Sequence, residues 1–248
     1  MPGILITIPV HNEALVLAEN VNKLHAWCRE HLSAGNWQIQ IVENGSTDNT
    51  LTEAERCAAS LPSVTVLSLP MAGKGRAIQE SWKRSLADIL VFMDADLATD
   101  LAALLLLISL LSTNQADLVV GSRYLPDSRV KRSKQRRLIS RIYQRLVRLI
   151  LRLPVSDASC GFKGIDREAT KQLLPLTVDD HFFWDTELLG LAHAAGFRLR
   201  EIPVQWVETR TPGRKSQVSV LRTSLNYLRN LIKLRKRMRL LASGRQNS

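Results

Sequence analysis

Ile89-Leu90-Val91-Phe92-Met93-Asp94-Ala95-Asp96 is an apolar run that stops abruptly in two carboxylates one residue apart. In an extended strand, residues i and i+2 point to the same side. Asp94 and Asp96 are therefore expected to converge where a buried strand reaches the rim of its sheet. Two converging carboxylates repel each other unless a cation lies between them, and hard divalent cations prefer such oxygens. A cation held by few protein ligands keeps positions open for phosphate oxygens. The pattern predicts a metal–diphosphate site. The competing reading is a strand-end Asp that caps the next helix beside a solvated neighbour.

Outward from this run, strands and helices alternate. Ile4 to Val10, Gln38 to Glu43, Val64 to Leu69 and Asp117 to Arg123 are short β-branched or alternating runs, the signature of strands. Helical patterns lie between them: Glu13 to about Leu32, a helix capped by Asp48 or Thr50 and running to about Ala59, and one opened by Gly73-Lys74-Gly75. The Leu-rich segment Leu101 to Leu111 follows Thr99-Asp100, a candidate N-cap, and is expected to be a buried helix. The alternation predicts an α/β fold, a mainly parallel sheet covered by helices on both faces. Such sheets bind ligands outside the carboxyl ends of their strands. Pro9, Glu43-Asn44, Asp94/Asp96 and Ser122-Arg123 all lie at such ends and should line one crevice.

The 248 residues allow one large α/β domain or two small ones. No apolar run reaches the roughly 18 residues that span a bilayer. The chain enters a strand pattern at Ile4 without a basic stretch and cleavage site, so no signal peptide is expected. Cys28, Cys57 and Cys160 show no metal spacing and fit a reduced, cytoplasmic setting. The net charge of +11 is unevenly spread. Arg129 to Arg152 holds ten Lys/Arg and no acid, and Arg210 to Ser248 holds eleven and no acid. The remainder carries 13 basic against 23 acidic residues, so an acidic body bears two basic appendages. That asymmetry calls for a localised anionic partner.

The second half is less regular. Arg136 to Leu153 reads as an amphipathic helix, with Leu138, Ile142, Leu146, Leu149 and Leu153 on one stripe and Arg137, Arg141, Arg145, Arg148 and Arg152 one residue over. Gly161 to Gly164 is turn-prone, and Asp185 to Ala195 is helical. Arg198 to Val207 reads as a last strand, placed at an edge or bulge by Pro203. Val218 to Leu241 reads as a second basic amphipathic helix with Leu221, Leu225, Leu228 and Ile232 on one face. Both helices suit an anionic membrane surface, at about 1 kcal/mol per engaged Lys/Arg. Solvated faces and nucleic acid are the alternatives. Nucleic acid is disfavoured because aromatics are scarce and no recognition motif accompanies the charge.

Six blocks in order resemble the family-2 inverting glycosyltransferases of the GT-A fold. They are Pro9-Val10-His11-Asn12-Glu13, Glu43-Asn44-Gly45-Ser46-Thr47-Asp48, Gly73-Lys74-Gly75-Arg76-Ala77, Asp94-Ala95-Asp96, Gly121-Ser122-Arg123-Tyr124 and the later motifs taken together. Those later motifs are Asp157 to Lys163, Phe183 to Leu189 and Glu201 to Trp206. They are similar to the polyprenyl-phosphate branch, the dolichyl-phosphate mannose synthases and glucosyltransferases. The resemblance implies a GT-A-like domain over residues 1–216 and a C-terminal basic helix and tail over 217–248. It implies transfer of a hexose from a nucleotide sugar to a polyprenyl phosphate. The setting implied is the cytoplasmic face of a membrane, and a separate membrane-anchoring partner protein is compatible with it.

The resemblance also assigns roles. Asp94 and Asp96 would hold Mg²⁺ or Mn²⁺ against the diphosphate, with Asp96 the closer ligand and Asp94 facing the ribose or sugar. Pro9, His11, Glu13, Asn44, Lys74, Asp94 and Ala95 would line the donor-nucleotide site, His11 standing where relatives carry Tyr and Asn44 where they carry Asp. A lipid phosphate is already an anionic nucleophile and needs placement and charge compensation rather than a base. Arg123, Arg136, Arg210 and Lys215 match those basic positions, Arg123 counting among the catalytic residues. Asp94-Ala95-Asp96-Leu97-Ala98-Thr99 looks like the D-A-D-G-A-T of the glucosyltransferases, and Ala98 replaces the Gln of the mannose synthases. UDP-glucose is therefore favoured over GDP-mannose. Two rivals remain: a soluble hydroxyl acceptor, with Asp185 as base, and a non-catalytic membrane or nucleic-acid adaptor. Asp157 and Glu187 are motif carboxylates that suit loop anchoring as well as catalysis.

Overall fold

The computed structural model describes residues 3–131, 134–207 and 220–246; side chains at 134–137, 220–225 and 245–246 are not described. Seven strands form one sheet: β1 (Ile4–Val10), β2 (Trp37–Asn44), β3 (Val64–Leu69), β4 (Ile89–Met93), β5 (Leu118–Ser122), β7 (Phe162–Asp166) and β8 (Leu199–Pro203). Their order is β3-β2-β1-β4-β7-β5-β8. β1 to β4 run parallel, as do β5 and β8. β7 runs antiparallel between β4 and β5. This corrects the turn expected at Gly161 to Gly164. Gly161 just before the strand and Lys163 and Gly164 within it hide β7, because Phe162 and Ile165 are its only large apolar residues. A short pair, β6 (Arg129–Lys131) with β9 (Gln205–Val207), lies outside the sheet. The break at Val204 turns the chain out of the sheet edge just after Pro203.

Helices α1 (Ala14–His31), α2 (Thr50–Ser60), α3 (Lys74–Arg84) and α4 (Ala103–Ser112) join the first strands, with α5 (Lys134–Leu151), α6 (Arg167–Leu173), α7 (Trp184–Ala194) and α8 (Val220–Gln246) following. β4 is buried throughout, as its unbroken apolar run requires. Successive residues of a strand face opposite ways. On one face Phe92 meets Trp82 of α3 and Trp184 of α7, ring centroids 6.2 and 5.9 Å away. On the other face α4 lies over Gly164, the register partner of Val91.

The Leu-rich helix is buried on one side only. Leu104, Leu107 and Leu111 face the sheet, and Leu105 and Leu106 are exposed. Its entry is shaped by Asp100, whose Oδ1 accepts the Ala102 N–H at 3.2 Å, while Thr99 bridges to Trp206. At α2, Asp48 Oδ1 accepts the Thr50 N–H at 3.0 Å, and the residue at the N-cap is Asn49.

Both basic helices pack by a face other than the one the leucine spacing marks. α5 buries Gln144, Val147 and Leu151, leaving Leu138, Ile139, Ile142, Leu146 and Leu149 exposed beside exposed Arg141, Arg145 and Arg148. Leu153, the last of the expected stripe, is buried just beyond the helix. α8 buries Leu231, Leu234 and Met238 in the same apolar core as the sheet, leaving Leu228 and Ile232 exposed. Tyr227 stacks edge-on against Tyr143 and Phe183, tying α8 to α5 and to the start of α7.

A Cβ at Gly164 would lie 2.4 Å from Leu107 Cδ2 and 3.1 Å from both Leu107 Cγ and Leu111 Cδ1. Gly164→Ala should therefore overpack the α4 interface and destabilise the protein by about 1–3 kcal/mol. A lower urea midpoint at unchanged m-value is the expected result; wild-type stability would contradict the packing described.

Candidate active site

The two carboxylates of the D-x-D segment do not share a strand face. β4 ends at Met93, and Asp94 to Leu97 form a turn closed by the Leu97 N–H to Asp94 O bond at 3.1 Å. Leu97 adopts φ 45°, a left-handed conformation uncommon for a non-glycine residue. The turn is held from two sides. Asn20 of α1 donates to Ala95 O at 2.9 Å, and the Asp94 N–H donates to Gly161 O at 3.0 Å. Asp96 Oδ1 accepts the Ala98 N–H at 3.2 Å. The correction is one of geometry: a turn, rather than strand alternation, presents the pair at the rim.

Gly161 gives Asp94 its room. A Cβ there would stand 1.8 Å from Asp94 Oδ2. The residue just before antiparallel β7 thus brings a bare backbone against the first carboxylate, which remains about half exposed at 47%.

Behind the turn lies a row of charges. Lys74, the first residue of α3, places Nζ 2.9 Å from Asp94 Oδ1 and 3.1 Å from Asp185 Oδ2. Lys163, fully buried on β7, places Nζ 2.7 Å from Asp185 Oδ1 and donates to Cys160 O. Burial alone would raise the Asp185 pKa, but Lys163 and Lys74 outweigh it and hold the carboxyl below its ordinary range. Burial works against the Lys74 ammonium, and the charges of Asp185 and Asp94 overcome it, raising its pKa. The Gly73-Lys74-Gly75 turn owes its glycines to packing as well. A Cβ at Gly73 would lie 2.5 Å from Asp180 O, and one at Gly75 2.6 Å from Asp179 O.

The expected donor residues sit along the ends of β1, β2 and β4. Pro9 and Val10 end β1 in register with Val42 and Glu43. His11 Nδ1 lies 2.8 Å from Asn44 O. The Asn44 amide is buried and turned inward: Nδ2 donates to Val10 O at 2.7 Å, and Oδ1 accepts the Gly73 N–H at 2.8 Å. It ties β1 and β2 to the Lys74 turn. Glu13 opens α1, its N–H donating to Thr50 Oγ1 at 2.8 Å.

Arg123, after β5, is not a lone cation. Its Nε and Nη2 grip Asp157 at 2.7 and 2.9 Å, and its guanidinium lies 5.6 Å from the Trp206 ring centroid. Asp157 also accepts from Gln144 at 3.1 Å. The Arg123 pKa is raised because the charge of Asp157 overcomes the opposing effect of burial. Cys160 stands between this pair and the lysine row, and burial pushes its thiol up to about 12, so it stays neutral filler. Glu187 is likewise an anchor, accepting the N–H groups of Val178 and Asp179 at 3.0 and 2.9 Å and pairing with Arg237 of α8. Of the other basic positions, Arg136 lies on the α5 backbone with its side chain outside the described residues, as are Arg210 and Lys215 entirely.

Among the described residues no three His, Cys, Asp or Glu side chains assemble as a metal cage. Two carboxylates on a half-buried turn instead suit a hard cation that takes its other oxygens from phosphate and water. Sequence reasoning missed the role of Lys163 and the closeness of Gly161. A charged residue between Phe162 and Ile165 was the available signal.

Residues 5–174 match the model of the family described as glycosyl transferase family 2. The chain belongs to that family. Its sheet is that of the GT-A fold. The chain is 36% identical over 202 residues to glycosyltransferase AglD of Haloferax volcanii, covering 81% of this chain and 32% of that protein. It is 29% identical to dolichyl-phosphate beta-glucosyltransferase ALG5C of Trichomonas vaginalis, covering 81% of this chain and 63% of that one. It thus spans less than two thirds of both relatives. Identity to polyprenol monophosphomannose synthase of Mycolicibacterium smegmatis is 28%, over 89% of this chain and 83% of the synthase. Among solved structures, glucosyl-3-phosphoglycerate synthase from Mycobacterium tuberculosis, in complex with Mn²⁺, UDP-glucose and phosphoglyceric acid, superimposes with TM-score 0.66 at 19% identity. That likeness covers 94% of this chain and 78% of the synthase.

Gly161→Ala should displace the Asp94 carboxylate and, on the metal reading of the turn, weaken Mn²⁺ binding while circular dichroism remains native; unchanged binding would show that Asp94 has another resting place. Asp185 gives a pH signature. Its lowered pKa contributes stability that is present above the ordinary carboxylate value and is lost as pH falls through the folded value. Asp185→Asn should therefore be most destabilising near neutrality, and its deficit should shrink below about pH 4. Urea midpoints at both pH values measure this, and a pH-independent deficit would contradict it.

Proposed function

We propose that this enzyme moves a hexose, glucose from UDP-glucose in the first instance, onto a polyprenyl phosphate at the cytoplasmic surface of a membrane. The observation that carries the acceptor class is the state of Asp185. A hydroxyl acceptor needs a base with an available oxygen and a pKa near the working pH. Both Asp185 oxygens are held by ammonium groups and its pKa is lowered, the reverse of what a base requires. A phosphate acceptor is ionised already and needs no such group.

In this reading Pro9, His11, Glu13 and Ala95 line the donor nucleotide, and Asn44 and Lys74 order its phosphate end. Asp94 and Asp96 would hold Mg²⁺ or Mn²⁺, which when bound supplies charge stabilisation for the departing nucleoside diphosphate. Arg123, oriented by Asp157, would stand with Arg136, Arg210 and Lys215 around the acceptor phosphate. Relatives whose names carry dolichyl-phosphate glucosyltransferase or polyprenol monophosphomannose synthase activity support the acceptor class. Residues 1–216 would carry the chemistry, and 217–248 would contribute to the membrane side.

The membrane assignment is supported by α5. Its outward face presents five exposed apolar residues flanked by arginines, the composition of a helix lying in an anionic interface. Among the described residues no helix is long and apolar enough to cross a membrane. A separate anchoring partner is compatible with that arrangement.

The deciding assay offers short-chain polyprenyl phosphate, Mg²⁺ or Mn²⁺ and, in turn, UDP-glucose, UDP-galactose, UDP-GlcNAc and GDP-mannose, with mass spectrometry of the extracted lipid. A glucosyl-lipid from UDP-glucose is expected, falling by more than about 100-fold with EDTA or Asp96→Ala. A product from GDP-mannose alone would reassign the donor. Donor hydrolysis without a lipid product would overturn the acceptor. Separately, Leu138→Glu with Leu149→Glu should weaken flotation with anionic liposomes by about tenfold or more at unchanged thermal stability. Unaltered flotation would remove α5 from the membrane face.

A further inference from the structure

Lys163, Asp185, Lys74 and Asp94 form a row of alternating charge with successive separations of 2.7, 3.1 and 2.9 Å. Two ammonium groups and two carboxylates balance. The row also runs from inside to outside. The Lys163 side chain is 0% exposed and that of Asp185 6%, followed by 12% for Lys74 and 47% for Asp94. At the buried end a lone carboxylate would carry a heavy desolvation penalty, and Lys163 removes it. Lys74 is thereby left with charge to share with Asp94, the carboxylate assigned above to the metal. The Phe92 ring lies beneath both ammonium groups, 4.9 Å from Lys74 Nζ and 5.3 Å from Lys163 Nζ, and favours two cations there.

We propose that Lys74 is a tethered counter-cation. In the donor-free enzyme its ammonium neutralises Asp94 and competes with the divalent ion; an arriving nucleoside diphosphate draws it off. Lys163 is the positioning residue that makes Lys74 available, by neutralising Asp185 in its place. The inference rests on the metal–diphosphate reading of the Asp94–Leu97 turn. Metal and nucleotide then bind cooperatively, each favouring the state of Lys74 that admits the other, and the coupling is reciprocal. No covalent bond is made or broken in the exchange.

The test is Mn²⁺ binding to the intact protein, read from the electron paramagnetic resonance of free Mn²⁺ with and without UDP. Lys74→Met should tighten Mn²⁺ in the nucleotide-free protein by about tenfold, the order expected for losing one competing ion pair. Lys74→Arg should restore weak binding, and adding Asp96→Asn to Lys74→Met should abolish the gain. Asp185 keeps Lys163 in Lys74→Met, so thermal unfolding should remain cooperative. Lys163→Met should tighten Mn²⁺ in the same direction, because Lys74 must then serve buried Asp185 alone. Nucleotide-free Lys74→Met that binds Mn²⁺ no better than wild type overturns the counter-cation role, whatever UDP does. A gain in Lys74→Met without one in Lys163→Met removes the positioning role of Lys163. Failure of UDP to tighten Mn²⁺ in any variant would count instead against the donor reading of the turn.

Discussion

Asp185 is a carboxylate placed where water does not reach, on the first turn of α7 beside Trp184, whose ring packs on Phe92. An ionised carboxylate in such a position is tolerated only with partners on its oxygens. Meeting that requirement draws three separate pieces of chain together: the start of α3 with Lys74, strand β7 with Lys163, and α7 itself. Each partner brings something else into place. Lys74 arrives with a glycine-flanked turn that packs against residues 179 and 180, and Lys163 arrives with Gly161 and the only antiparallel strand of the sheet. The D-x-D turn then closes against Gly161. One neutralisation requirement therefore locates most of what surrounds the rim of β4.

The alternation of strands and helices through the first 123 residues was legible because each element follows its own period. β1, β2, β3 and β4 are apolar runs bounded by turn residues, and their order makes the carboxyl ends converge. The interior of the site was less legible. β7 carries Lys163 and Gly164 at its centre, so pattern alone marks it as a turn; only the burial of Asp185 explains a lysine there. The D-x-D pair was expected on a strand face because Ile89 to Met93 reads as continuous with it. The chain instead turns at Leu97, which local propensity does not announce. Asn44 was expected to face the cleft, yet the Gly73 N–H and the Val10 carbonyl claim both ends of its amide.

The two basic helices show why an apolar stripe does not by itself identify the buried face. In α5 the regular leucines point outward, and the core is met by Tyr143, Gln144, Val147 and Leu151. Gln144 is inside because it works there, donating to Asp157 and Ser159 and accepting the Ala158 N–H. A polar residue can lie on the buried face when its hydrogen bonds are met, and the leucines are then left to another surface. Their exposure next to arginines is unusual for a surface bathed only by water.

The same geometry links the proposed acceptor site to the outward face. Gln144, on the inner side of α5, holds the Asp157 carboxylate that orients Arg123, and the exposed leucines occupy the opposite side of that helix. One helix thus braces the basic residue beside the site from within and presents apolar surface to the outside. An acceptor with a phosphate at one end and a long hydrocarbon at the other matches that division of polarity. A soluble sugar would need a general base where Asp185 stands, and it would leave the leucines of α5 without a partner.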